Sequence, residues 1–503
     1  MQVKTQSDDI ENYLTDASNM RGGYAEQIFI PASEDEIRRY LREANDNAVP
    51  VTVSGARTGT VGGAIPFGGA VLSIERLNRI VDINADTLRA VVRSGVILAD
   101  LQKAVEAKGL FYPPDPTEWS CQIGGTIATN ASGARSFKYG ATREFVERIR
   151  IVLADGDVLD LRRGEIVGSG ESLTVHTESG RSIEFALPTY EPPNVRKNVS
   201  GLFNSRPFDA IDLFIGSEGM LGVIVEAELR LVPKPQSFFS GIVFFRSNAE
   251  LTAFVDEARV LSYQTRSVNK ADNDQSGRAP FDAALLEYFD DNALNFITEK
   301  FPETPRGMAG AVFFEQETTA EYEDLLLGSW NRLLEKHNAD LDRSWFGTNE
   351  QDLEKMRAFR HALPVSVNER VVRNKQKKVG TDMAVPDVNF ASFHKFYREI
   401  LADSGMEYVI FGHIGDCHLH ANLLPRNDED AVRARNIYGR CIAQAIMLGG
   451  CVSAEHGIGK LKRHFLAAMM GERYLNEIAA IKKAFDPRGI LGRGNMLGEE
   501  LLG

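Results

Sequence analysis

"CQIGGTIATNASGARSFKYG", residues 121–140, decides the fold, together with an earlier stretch of the same texture, "VSGARTGTVGGAIP", residues 53–66. Neither contains G-x-G-x-x-G. The spacing of Gly55, Gly59, Gly62 and Gly63 matches neither a dinucleotide-binding fingerprint nor a P-loop with its Gly-Lys-Ser/Thr. A turn dense in glycine, serine and threonine after a β-branched strand ("VPVTV", 49–53) lets backbone N–H groups converge. Such a nest seats an anion without basic side chains. One loop of this kind would serve equally as a tight turn between strands; two of this length point to a bound diphosphate.

Outward from these loops the first third reads as alternating helix and strand. "PASEDEIRRYLREANDN" opens a helix with Ser33 as N-cap and Glu36 three residues on, a capping box. Residues 70–95 read as strands separated by a turn near Asn84-Ala85-Asp86, and 96–109 as an amphipathic helix closed by Gly109. Near residue 190 the texture becomes loop-like. After "DLFIGSEGMLGVIVEAELRLVPKP" (212–235) a domain boundary is expected at about 235. Beyond it, strands ("SGIVFFRS", "MAGAVFFEQE") mix with long charged helices, as in an α+β domain. The basic run "ERVVRNKQKKVG" (369–380) reads as a solvated loop.

At 503 residues the chain exceeds one hydrophobic core, and roughly two to four domains are expected. Its 57 basic and 70 acidic residues leave a charge of −13, which argues against nucleic-acid binding. The four cysteines (Cys121, Cys417, Cys441, Cys451) form no C-x-x-C, so neither an iron–sulfur cluster nor a zinc ribbon is expected. Reduced thiols fit a cytoplasmic setting. The N-terminus has no apolar signal region and no apolar run approaches eighteen residues, so no transmembrane segment is expected. Peripheral attachment to a membrane stays open.

The chain has nine histidines, and five lie between residues 413 and 464. In "YVIFGHIGDCHLHANLL" (408–424), strand alternation puts His418, His420 and Asn422 on one face, with His413 before the Gly-Asp turn able to fold back on them. "CVSAEHGIGKLKRHF" adds Glu455 and His456. Two imidazoles and a carboxylate are a known catalytic ligand set for zinc-like ions. A hydrogen-bonded polar strand in a core is the other reading of the same residues.

"YPPDPTEWSCQIGGTIATNASGARSFKYG", "GSEGMLGVIVEAELRLVP", "GHIGDCHLHANL" and "SAEHGIGK" occur in one order across nearly the whole chain. In these motifs the sequence resembles the vanillyl-alcohol oxidase / p-cresol methylhydroxylase (PCMH) flavoprotein superfamily. The branch it resembles holds the FAD-binding chain of glycolate oxidase, D-lactate dehydrogenase and D-2-hydroxyglutarate dehydrogenase. The resemblance implies an α+β fold with a two-subdomain FAD-binding domain (1–235), a substrate/cap domain with an antiparallel sheet and the metal site (236–460), and a C-terminal segment (461–503) packing back on the FAD domain. Gly55, Ala56, Thr58, Gly59, Gly62 and Gly63 would cradle the FAD diphosphate. Pro114, Gly124, Gly125, Thr129, Asn130, Ser132, Gly133 and Tyr139 would line the flavin and ribityl chain. Glu218, Gly219, Gly222 and Ile224 would lie near the adenosine or close the site. His413, His420 and Glu455 match the family's metal ligands, zinc before manganese or iron. His456 matches its base, and Arg360 its substrate-binding arginine. Lys378 is a second candidate for the substrate carboxylate. His418 is either an added polar lining residue or an alternative ligand.

The implied activity is oxidation of a D-2-hydroxy acid, lactate or 2-hydroxyglutarate, with a quinone, a cytochrome or an electron-transfer flavoprotein as acceptor. A direct oxidase and an FAD-binding subunit of a larger complex are alternatives, and a homodimer is compatible. The chain departs from the family pattern at Ser54 and Arg57, and its tail reads Gly492-Arg493-Gly494-Asn495 in place of Asn-Pro-Gly-Lys, which puts FAD contact from the tail in question. No histidine precedes His176, so the FAD is expected to be non-covalent.

Overall fold

The computed structural model describes residues 2–271 and 281–502. A mixed four-stranded sheet opens the chain in the order Gln2–Lys4, Gln27–Ile30, Ala70–Ser73, Val51–Ser54, its last two pairings parallel. Parallel pairing needs a crossover. The helix Glu34–Asp46 takes part in it and buries Ile37, Leu41 and Ala44. Ser33 caps this helix by accepting from Glu36 N at 3.3 Å, while the Glu36 carboxylate reaches one residue further back, to Ala32 N at 2.8 Å. An antiparallel five-stranded sheet follows in the order Ile80–Asn84, Arg89–Arg93, Val223–Arg230, Val146–Val152, Val158–Arg162. Arg93, Arg148, Glu226 and Asp160 form cross-strand ion pairs on it. The helix expected over 96–109 spans only Leu98–Glu106; residues 107–109 close a turn with Gly109 at φ +72°.

From residue 237 the chain builds a large antiparallel sheet. Its order is Trp345–Gly347, Ser237–Phe245, Gly310–Thr318, Ala283–Asp290, Tyr408–Gly412, His418–Leu423, Val379–Gly380, with Met383–Ala384 also pairing His418–Leu423. Helices cover both faces, so Ala283–Asp290 is buried throughout and Gly310–Thr318 everywhere but at Glu317. On one face Trp330 of helix Glu323–Lys336 stacks on Phe314 with centroids 4.0 Å apart. On the other, Phe359 of helix Glu350–Asn374 packs edge-on against Phe289 at 5.5 Å. The basic run corrects the loop reading: residues 369–374 are the last turns of that helix, and Lys375 ends it at φ +53°. Leu363 and Val367 keep the helical buried stripe going past Pro364, and the charges of the final turns sit on its solvent side.

The helical segment Arg463–Phe485 breaks at Gly471 (φ +77°) and lays Phe485 against Phe185 and Phe214 of the first half, at 5.3 and 5.2 Å. The tail then joins the first sheet: Val51 N donates to Ile490 O at 2.7 Å and Gly492 N to Val51 O at 3.1 Å. Lys482, fully buried, fastens this return by donating to Met220 O, Leu491 O and the Asp486 carboxylate at 2.9, 2.9 and 2.7 Å. Removing one partner of a buried pair strands the other charge. Asp486→Ala is therefore expected to lower unfolding free energy by about 3–5 kcal/mol, read by urea titration; a loss below about 1 kcal/mol would mean the pair behaves as a surface bridge.

Candidate active site

The two glycine loops line one cavity of about 320 Å³. Of the expected FAD residues, Gly55, Ala56, Thr58, Gly59, Gly63, Gly124, Gly125, Thr129, Ser132, Glu218, Gly219, Gly222 and Ile224 face it. Five do not. Gly62 lies behind the wall, its carbonyl facing Lys460 at 3.3 Å. The Pro114 carbonyl accepts from Gln102, and Asn130 Oδ1 accepts from Arg143 N at 2.9 Å. Gly133 packs so tightly that a Cβ there would lie 1.8 Å from Asp115 O. Tyr139 is carried by the short helix Ser136–Tyr139 to a separate groove, where its hydroxyl bonds Glu317 and its ring meets Phe111. Pro116, Thr117, Gln122 and Ser217 take their places in the wall.

Among the described residues no protein group accepts from the N–H of Thr58, Gly59, Thr60, Gly63 or Ala64. Five free donors around one cavity fit a diphosphate. Arg57 holds φ +60°, a conformation that favours glycine, and turns its guanidinium onto the Tyr13 ring, 4.7 Å from the centroid.

A second cavity, about 1150 Å³, is lined by His413, His420, Asn422, Arg360 and Lys378. Thr60, Thr117, Glu455 and His456 belong to both cavities, so the two spaces meet across Glu455 and His456.

Local structure brings the histidines together. Strand Tyr408–Gly412 runs antiparallel to His418–Leu423, with Phe411 opposite His420, and a 3₁₀ turn over Ile414–Asp416 folds His413 back. Gly412, at φ +123°, passes so close to His420 that a Cβ would lie 3.0 Å from its ring. His413 Nε2 and His420 Nε2 both face Glu455 Oε1, at 3.2 and 2.9 Å. His420 Nδ1 donates to Thr381 O, and His413 Nδ1 lies 2.5 Å from Glu287 Oε1. In the neutral tautomers these bonds dictate, two ring lone pairs point at a carboxylate oxygen. Doubly protonated rings or a cation resolve that conflict. His418 is fully buried, with Nε2 3.1 Å from Asp382 Oδ1 and Nδ1 4.0 Å from Glu455 Oε2. Ligand atoms of His413, His418, His420 and Glu455 all lie within 4.8 Å of one another. The donor set fits a divalent ion with neutral imidazoles and one carboxylate.

Two buried carboxylates, Glu287 and Asp382, and two lysines, invisible to motif reading, frame these groups together with Glu218, which the motif had named. Glu287, in the strand Ala283–Asp290, binds His413 and accepts from Arg360 Nε at 2.9 Å. Burial opposes its charge, but His413 and Arg360 hold its pKa down at about 2. Burial likewise lowers His413, and the Glu287 carboxylate overrides it to about 9. Asp382 accepts from Glu455 N, His456 N, Ser453 Oγ and Lys462 Nζ at 3.2, 3.0, 2.6 and 2.6 Å. Glu218, reaching over from the first half, accepts from Ile458 N and Gly459 N at 2.6 and 2.7 Å. Lys197 donates to Glu455 Oε2 at 3.2 Å and to Gly133 O at 2.9 Å. His456 lies against the His420 ring, and burial pushes its pKa down to about 4 despite Asp382. One residue could have been found: a glutamate inside the apolar run "FDAALLEYFD" has no place there without a buried partner.

A two-half α+β chain whose glycine-lined cavity opens onto a cluster of histidines, carboxylates and an arginine has the build of an FAD-linked oxidoreductase. The chain belongs to the FAD-linked oxidase family: the model described as "FAD binding domain" matches residues 25–162 and "FAD linked oxidases, C-terminal domain" matches 277–496. Glycolate oxidase subunit GlcD of Bacillus subtilis (strain 168) is 30% identical, covering 97% of this chain and 92% of that one. A D-lactate dehydrogenase of Anaerostipes hadrus is 28% identical over 97% and 92%. A D-2-hydroxyglutarate dehydrogenase of Xanthomonas citri pv. viticola is 29% identical over 99% and 94%. The fold is that of 4-ethylphenol oxidase from Gulosibacter chungangensis, with TM-score 0.69 and 18% identity over 98% of this chain and 94% of that one. Among the described residues no helix is long and apolar enough to cross a membrane.

Two glycines separate cofactor space from packing. A Cβ on Gly125 meets no protein atom within 4 Å, whereas one on Gly133 strikes Asp115 O. Gly125→Val is expected to melt near wild type yet lose its flavin, and Gly133→Ala to lose stability first. Thermal melts and flavin absorbance per chain check both, and a Gly125→Val variant still fully yellow would remove that wall from the FAD site.

Proposed function

We propose that the chain oxidises a D-2-hydroxy acid to the 2-oxo acid, using non-covalent FAD and a divalent cation at His413, His420 and Glu455. One observation carries this reading: Glu455 and His456 are the shared wall between the glycine-lined cavity and the histidine-lined one. When bound, the flavin takes up two electrons and the cation polarises the substrate hydroxyl.

The protein's own groups supply the rest. His456 Nδ1 faces Asp382 Oδ2 at 3.5 Å, which leaves Nε2, 3.9 Å from Glu455 Oε1, to take the hydroxyl proton. Its depressed pKa keeps the ring neutral, as a base must be before it acts. Arg360, pinned through Nε by Glu287, keeps its two terminal nitrogens for the substrate carboxylate. Glu287 and the Thr381 carbonyl set the His413 and His420 tautomers, the second layer of contacts a ligand histidine uses. Fixing the α-carbon against the shared wall is the positioning part of the rate enhancement. Reoxidation falls to an external acceptor such as a quinone, a cytochrome or an electron-transfer flavoprotein.

The outer part of the large cavity favours 2-hydroxyglutarate over lactate. Arg21, Lys375, Lys377, Lys378 and Arg435 line it, and none is ion-paired with a carboxylate among the described residues. Burial and the neighbouring Arg21 guanidinium both lower Lys377. Unpaired cations that repel one another suit a substrate bearing a second anionic group.

A dye-reduction screen of 2-hydroxy acids, with and without chelator, tests the reading. Chelator is expected to abolish turnover while the protein stays yellow. His456→Ala is expected to keep flavin and metal yet lose about 10²–10⁴-fold in rate. Near-normal rates in either case would sink the metal or the base. Replacing Lys375, Lys377 and Lys378 together by Gln should cut kcat/KM for 2-hydroxyglutarate about tenfold and leave lactate nearly unchanged; equal losses on both would mean the lysines only steer anions.

A further inference from the structure

Lys460 has no part in the chemistry above, and the tail "GRGNM" (492–496) departs from the family pattern. The structure joins them. Lys460 is 9% exposed, and its Nζ donates to Gly62 O and Gly63 O, both at 3.3 Å, and to Asn495 Oδ1 at 2.8 Å. Asn495, also buried, donates through Nδ2 to Gly63 O at 3.1 Å and Glu218 O at 3.0 Å. Among the described residues no carboxylate oxygen lies within 4.0 Å of this ammonium. Glu218 spends both oxygens on Ile458 N and Gly459 N, and Asp16 gives Oδ1 to Ser18 while its Oδ2 stays buried without a hydrogen-bond partner, so both act on the ammonium only at a distance. Burial lowers the ammonium's pKa to about 8, with Arg463 pressing the same way and Glu218 and Asp16 opposing.

A buried cation with no carboxylate in contact, offset only at a distance by Glu218 and Asp16, is stabilised further by an anion from outside the chain. The direction of that partner can be read from the peptides. The carbonyls of Gly62 and Gly63 face the lysine, so the N–H groups of Gly63 and Ala64, anti to them across planar peptides, face the other way, into the glycine-lined cavity. Neither N–H has an acceptor in the protein. A charge at the carbonyl end of a peptide strengthens the donor at its other end.

We propose that Lys460, seated by the tail residue Asn495, is the counter-charge of the FAD diphosphate and acts through the Gly62–Ala64 peptides. It is a positioning residue for the cofactor, and the altered tail supplies FAD contact at one remove. The proposal rests on FAD binding and not on the substrate or the metal.

The test is FAD release from the full-length holoprotein on dilution, read as the rise of free-FAD fluorescence, together with the urea midpoint of each variant stripped of flavin. Lys460→Met is expected to raise the FAD dissociation constant about ten- to hundredfold, with a stripped-chain midpoint equal to or above wild type, because a stranded charge has been removed. Lys460→Gln keeps donors for the two carbonyls without the charge and should be just as weak. Should Lys460→Met fail to fold, Lys460→Gln carries the measurement. A dissociation constant within twofold of wild type, or full rescue by Gln, would overturn the proposal and leave Lys460 a mechanical tether between loop and tail.

Discussion

The loop over residues 453–460 is held by two carboxylates that reach it from opposite halves of the molecule. Asp382, from the second half, takes the N–H groups of Glu455 and His456, and Glu218, from the first half, takes those of Ile458 and Gly459. Charged acceptors on backbone donors are among the stronger bonds a protein makes, and each would be costly to leave half-made in a dry interior. Lys462 neutralises Asp382 at 2.6 Å, so the anchor from the second half is a closed unit. Through this loop the two halves share one wall, and the alignment of the two cavities follows from it.

The same logic extends to Glu455. One of its oxygens faces His413 and His420; the other meets Ser132 and Lys197 from the first half. A single carboxylate therefore reports on the position of both halves. A shift of one relative to the other would disturb the histidine cluster and the wall of the glycine-lined cavity together, because cores this dense transmit displacement and do not absorb it.

The histidine cluster was legible in the sequence because its geometry is local: a strand, a Gly-Asp turn and a second strand, with the period of two placing His418 and His420 on one face. The glycine loops were legible for a similar reason, since what marks them is the backbone N–H groups they bring around one cavity. What escaped was long-range. Glu287 meets His413 across 126 positions and Lys197 meets Glu455 across 258, and no spacing rule connects such pairs. Tyr139 shows a subtler failure. It follows the glycine motif closely, but one turn of helix rotates it out of the wall. The basic run at 369–380 looked like a loop because charge suggests solvent, yet a helix with one buried side carries charge on the other.

The tail has a temporal consequence. Asn495 supports Gly63 from 432 positions further along the chain, and Ile490 and Gly492 complete the edge of the first sheet at Val51. During synthesis the glycine loop emerges early and waits, its sheet edge unpaired and its supporting amide not yet made. Because Ile490 and Leu491 also belong to the first half's core, neither that core nor the glycine loop's support is complete until the tail has left the ribosome. Flavin loading becomes a late event, coupled to completion of translation, and ribosome-bound nascent chains lacking the last turns should remain colourless.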